Sequence, residues 1–147
     1  MSALGDICDV FATLHDGGIE ECSGTYEELE IKVGCTYLAE YIDPAFDNFF
    51  IILGAVEDFH FEEYTYPVGE ANRLIYDFNE LRDAEIELLN STIELDRVKV
   101  QCTTGVLFIK CASIRLFDQQ KNPLPPSDLY KISDLYWSKF GRREPNQ

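Results

Sequence analysis

The chain has 147 residues, 46% of them hydrophobic and 13% aromatic, and 27 acidic side chains against 12 lysines and arginines leave a formal net charge of −15. That length suits a single domain, 1–147, able to bury its own core without disulfide or metal staples. The longest apolar run, 49–53, falls far short of the roughly 20 residues a membrane span needs, and the charge argues against nucleic acid, whose phosphates require lysine and arginine.

Ile7, Val10, Phe11 and Leu14 repeat at helical spacing, which predicts an amphipathic helix over about 4–15. Ser2 or Asp6 can cap its start, and "DGG" at 16–18 supplies the glycine that favours a helix end. His15, in the last turn, suits the carbonyl end of that helix. The period then changes to two. Leu29, Ile31, Val33, Cys35 and Tyr37 alternate with Glu28, Glu30 and Lys32, so 19–22 and 28–38 read as a hairpin with one wet face. "IDPAFDN" is a loop, and "FFIILGAV" with "EDFHFEEYTY" forms one long bent strand or two, with Gly54 the natural bend.

Residues 67–83 fit both periods, since Leu74, Ile75, Phe78 and Leu81 suit a helix and Leu74, Tyr76 and Phe78 a strand; the expectation is a loop with a helical turn. Ile86 and Leu88 then point inward. In the next segment the inward set changes from Ile93 and Leu95 to Val98, Val100 and Cys102, which demands a bulge or break near Asp96 and Arg97. "TTG" at 103–105 turns the chain into "GVLFIKCASIRLFD", the last strand. Ser127 can cap a closing helix over about 127–140, striped by Leu129, Ile132, Tyr136 and Phe140 and ended by Gly141, with a frayed tail behind it. The predicted class is α+β: a mainly antiparallel β sheet of six to eight strands within about 19–117, curved into a sandwich or partial barrel, with an N-terminal and a C-terminal helix.

The five cysteines are odd in number, widely spaced and without a C-x-x-C pair, which predicts reduced, mostly buried thiols. The first residues carry three aspartates and no basic segment, so no secretory leader is expected, and the cytoplasm is the predicted compartment. Charge is unevenly spread: residues 1–81 hold 18 acids against two bases, a net of −16, and residues 82–147 hold 9 acids against 10 bases, a net of +1. Such an imbalance steers cationic partners.

Within "VEDFHFEEYTY", 56–66, a strand places Asp58, His60 and Glu62 on one face and Phe59 and Phe61 on the other. Same-face neighbours lie about 7 Å apart, so the outer pair would need a sharp bend to share an ion, and no metal or cofactor is predicted. Glu57 or Glu63, beside the two phenylalanines, could have a raised pKa for acid–base work, but the chain has no nucleophile elbow, P-loop or dinucleotide fingerprint. The favoured reading is a docking face. Partner-binding residues are predicted at Glu28, Glu30, Tyr37, Glu57, Asp58, His60, Glu62 and Tyr64, with Tyr26, Tyr41 and Tyr66 interleaved, and a basic protein as the partner. The alternatives are a small-molecule binding or enzymatic domain with a cavity in the curved sheet near His60, and a homodimer joined along exposed aromatic strands.

"LHDGGIEE" at 14–21, "VGCTYLAEYIDPAFDNFFI" at 33–51 and "SDLYWSKF" at 133–140 resemble small acidic bacterial proteins of unassigned function, some of them similar to immunity proteins of polymorphic-toxin systems. The resemblance covers about a quarter of the chain. It implies a non-enzymatic cytosolic protein that binds and blocks a toxin domain, with carboxylates mimicking phosphates where that toxin is a basic nuclease.

Overall fold

The computed structural model describes residues 3–65 and 71–141; Ser2, Tyr66, residues 67–70 and the tail beyond 141 lie outside them. The elements run α1 (Ala3–Thr13), β1 (Gly18–Gly24), β2 (Glu28–Gly34), α2 (Thr36–Ala39), β3 (Asn48–Glu63), β4 (Arg73–Ile75), α3 (Phe78–Asp83), β5 (Leu88–Glu94), β6 (Arg97–Cys102), β7 (Gly105–Phe117) and α4 (Pro126–Gly141). Among the described residues there is one seven-stranded sheet, antiparallel throughout, ordered β1-β2-β3-β7-β6-β5, with β4 added to β3. The α+β class with a helix at each end is therefore the observed one.

β3 is the spine. It pairs with β2 along 48–54, with β7 along 50–63 and with β4 along 61–63. Two residues of β3 face one of β7 between Val56 and Asp58, and Ala55 has φ +50°. The bend thus falls just past Gly54 rather than on it. The turn between β1 and β2 holds the bend in place, because the amides of Ala55 and Val56 donate to the carbonyls of Glu27 and Tyr26 at 3.0 and 2.6 Å.

The sheet curls until its two ends touch near residues 17–19 and 86–88. The Ile19 amide donates to the Ile86 carbonyl at 2.9 Å, and the Leu88 amide to the Gly17 carbonyl at 2.8 Å. Beyond this contact the edges separate, so the sheet is an unclosed partial barrel. α1 lies across β5, β6 and β7 on the concave side, and α4 packs on α1 and α2. The helical stripe read from sequence is the buried one: Ile7, Val10, Phe11 and Leu14 are sealed against Phe49, Ile51, Leu53, Phe59 and Phe61. Each such side chain contributes about 1.5–3 kcal/mol by leaving water.

α1 does not end on a glycine in the left-handed region. Asp16 takes that conformation at φ +68°, and its amide donates to the Leu88 carbonyl at 2.7 Å. Gly17 answers a different demand: a Cβ there would meet the carbonyl oxygens of Leu14 and Gly34, both at 2.8 Å.

Three expectations are corrected. The second strand stops at Gly34, not at residue 38; Cys35 opens the helical turn α2, whose Ala39 amide bonds the Cys35 carbonyl at 3.0 Å. The ambiguous stretch holds both periods in succession, β4 and then α3, the latter capped by the Asp77 carboxylate on the amides of Asn79 and Glu80. The break expected near Asp96 and Arg97 is there, as a two-residue hairpin at Leu95 and Asp96, but Ile93 and Leu95 are not core residues: they are 49% and 93% exposed. Leu95 occupies the left-handed position that such a turn requires, at φ +60°.

Candidate functional site

Alternation along β3 sends Phe59 and Phe61 into the core and leaves Asp58, His60 and Glu62 on the convex, outer side. Register then chooses their neighbours: Lys110 stands opposite Asp58, and Phe108 opposite His60. Tyr76, just past β4, covers the other side of the imidazole. The His60 ring is stacked between Tyr76, at 4.9 Å and 27°, and Phe108, at 5.0 Å and 22°. The Arg97 guanidinium extends the row, 4.4 Å above the Phe108 ring.

Asp58 ties the row together. Its Oδ1 lies 2.6 Å from His60 Nδ1, and its Oδ2 accepts from Arg97 Nη1 at 3.1 Å. A carboxylate only accepts, so Nδ1 carries the proton of that bond. His60 is 8% exposed even though it sits on the outer side. The result is a row of planar groups, Tyr76, His60, Phe108 and Arg97, running from β4 across β3 and β7 to β6. The Tyr26 hydroxyl, donating to the Phe59 carbonyl at 3.2 Å, borders it; burial raises its pKa first, and the charges of Asp58 and Tyr76 add to that.

Of the predicted acids, Glu57 and Glu62 flank Asp58 and His60 on β3, whereas Glu28 and Glu30 stand opposite Gly54 and Ile52, six and eight positions along β3 from His60; each has a partner. Glu28 accepts from Arg115 at 3.0 Å, and Glu30 takes Lys121 on both oxygens at 2.9 and 3.1 Å, with that ammonium 4.5 Å above the Phe50 ring. Lys110 sits between Glu57 at 3.6 Å and Asp96 at 2.7 Å. Its hydrogen bond and charge hold the Asp96 carboxyl below the ordinary range, and Asp96 in turn raises the lysine. Glu62 turns aside to accept from Asn72 Nδ2 at 2.7 Å, and Tyr64 hydrogen-bonds Gln101. Asp58, His60 and Glu62 therefore do not converge on a point. Among the described residues no group of three or more His, Cys, Asp or Glu side chains is placed to hold a metal ion.

The lopsided charge of the sequence is redistributed by the fold. Cations from the second half (Arg97, Lys110, Arg115 and Lys121) lie on acids from the first half, so the acids of β2 and β3 meet bases carried by β7, β6 and the loop after β7. Tyr37 does not join this surface. It lies on α2, where its hydroxyl donates to the His15 carbonyl at 2.8 Å and its ring meets Tyr136 at 4.6 Å. Burial pushes that phenol well up.

Sequence reading missed Tyr76, Arg97 and Phe108. Phe108 was hidden in an unbroken apolar run, 106–109, where no alternation marks the outward residue. Arg97 closes the β5–β6 hairpin, and Tyr76 belongs to the stretch whose period was mixed.

Clefts lie elsewhere on the molecule. One of about 390 Å³ separates α1 from α4, with Asp9, Thr13, His15, Tyr130, Ser133 and Asp134 on its walls. The Tyr130 hydroxyl oxygen is buried with no hydrogen-bond partner, and its pKa is pushed up to about 12, by burial first and then by Asp9, Asp6 and Cys8. All five cysteines are free thiols. No helix among the described residues is long and apolar enough to cross a membrane. No protein-family model matches the chain, and neither a curated protein nor a solved structure matches it.

Proposed function

We propose that this chain is a non-enzymatic, cytoplasmic immunity protein that neutralises a toxin by binding it, with the outer side of the sheet as the docking face and a basic protein as the partner. The observation that carries this reading is the row Tyr76–His60–Phe108–Arg97, held by Asp58 on a side of the sheet that α1 and α4 leave uncovered. Tyrosine and arginine dominate binding energy at protein interfaces because they offer large, stiff contact area with polar tips. Here they are already ordered, so little freedom is lost on docking. Exposed carboxylates on this side of the sheet, Glu57 beside the row and Glu28 farther along it, draw a cationic partner and give up weak surface ion pairs in exchange. The rival reading needs a cavity beside His60. The concave side is filled by α1 and by Phe11, Phe49, Phe59 and Phe61, and this favours docking over catalysis.

The test is co-expression with the basic toxin domain encoded beside this protein's gene. The reading predicts a stoichiometric complex, restored growth, and loss of both in Tyr76→Ala and Arg97→Ala. A toxin that neither binds the purified protein nor is silenced by it overturns the reading.

A further inference from the structure

A second surface adjoins the docking row, whose last member, Arg97, lies on the same β5–β6 hairpin. β5 is the last strand of the sheet, and its free edge is engaged only where it begins, at Leu88 and Gly17. Glu94 and Arg97 close a two-residue hairpin, so β5 residues 92 and 94 turn their backbone groups toward β6 while 91 and 93 turn theirs outward. An outward row of unsatisfied N–H and C=O groups is a template for another strand.

Apolar side chains gather at the same edge. Leu89, Ile93 and Leu95 are all exposed within seven positions. Ser91 is 9% exposed, and its Oγ has no hydrogen-bond partner. Residues 88–102 carry two acids and two bases, a net charge of zero in a chain of net −15. The hairpin thus carries no net charge of its own to oppose pairing with a second copy.

We propose that β5 pairs antiparallel with β5 of a second copy of this chain, about a two-fold axis at Thr92, joining two sheets into one. In this register Thr92 faces Thr92, and Ser91 lies across from Ile93, whose backbone groups it bonds. On the outer side the Glu94 carboxylate faces the Asn90 amide of the second copy, a donor against an acceptor, so no like charges stand opposite each other. On the inner side Leu95 approaches Leu89 of the second copy, so each covers an exposed aliphatic group of the other. The interface is isologous: each copy gives and receives the same contacts. It leaves Tyr76 and His60 uncovered, and so does not depend on the docking reading.

Sedimentation equilibrium across a concentration series tests the proposal. The wild-type mass is expected to rise from 16.9 kDa toward its double. Thr92→Lys sets two ammonium groups against each other at the axis, and Ile93→Lys places a charge in the apolar strip. Both positions are exposed, so both variants keep the native far-ultraviolet spectrum and stay monomeric, while Leu135→Lys on α4 still doubles. A wild type that remains at monomer mass throughout, or a dimer that survives both substitutions, overturns the proposal. The first outcome leaves the edge to a strand from another protein, and the second puts the second copy on a different face.

Discussion

Arg97 and Asp58 are 39 positions apart in sequence and meet at 3.1 Å, while the other Asp58 oxygen sits 2.6 Å from His60. One carboxylate thus positions two members of the planar row. Asp58→Asn keeps the shape but turns an N–H toward a donor. It is expected to lower stability by about 1–3 kcal/mol, the range for a hydrogen-bonding group left unsatisfied. Urea denaturation measures it; a change within experimental error would mean the pair contributes no order to the row.

Two glycines predict opposite outcomes. A Cβ on Gly105 would run into the Glu62 carbonyl oxygen, the Phe61 ring at 2.7 Å and Glu63 Cα at 3.0 Å, so Gly105→Ala is expected to lose about 1–3 kcal/mol. Gly5, inside α1, has nothing within 4 Å of that position. Gly5→Ala is expected to gain about 0.5–1 kcal/mol, because a helix interior favours alanine. Melting temperatures that move the same way for both would contradict the β3–β7 pairing at that end.

Cys35 and Cys102 are buried, and burial raises their thiols to about 11 and about 12. The unfolded chain loses these protons first, near the ordinary thiol range, while the folded chain still binds them. Stability is therefore whole below about pH 8.5 and falls as pH rises toward 11–12, by about 1.4 kcal/mol per pH unit for each thiol. A thiol reagent at pH 8 should label both slowly in the native protein and at once in urea. Fast native labelling would place them at the surface.

Trp137 is the chain's one tryptophan, and it stacks on His15 at 5.3 Å and 22° while Tyr37 wedges against Tyr136. Its fluorescence reports whether α4 is seated. Tyr37→Ala is expected to red-shift that emission and to lower stability by about 1–3 kcal/mol, whereas Tyr64→Ala leaves the emission unchanged. A Tyr37→Ala protein with native emission would contradict the role given to α2 in holding α4.

The terminal helices and the hairpins were legible because their signals are local: Ile7, Val10, Phe11 and Leu14 carry the 3.6 period, and Leu29, Ile31 and Val33 the period of two. Tyr37 was misplaced because the alternation ran on through Cys35 past the true end of β2, where the chain turns to bury Leu38 and Ala39. Ile93 does share the inner side with Val98, but at the free edge beside the turn nothing covers it, and Leu95 lies in the turn itself. At the site, the faces of Asp58, His60 and Glu62 were readable from β3 alone. Their partners were not, since Arg97, Phe108, Arg115 and Lys121 arrive through the register of β6, β7 and the loop beyond, which no local pattern encodes. The net −16 of the first half was correct as a count and misleading as a map, because the fold lays second-half cations over it.

The docking role proposed for the row is tested most directly by stopped-flow association with a basic toxin domain, the proposed partner, across a salt series. The account predicts that added salt, and Glu28→Lys with Glu57→Lys, slow association, while Tyr76→Ala leaves association near wild type and speeds dissociation at least tenfold, the size of a contact of about 1.4 kcal/mol. Rates that ignore salt and are the same in all these proteins would contradict it.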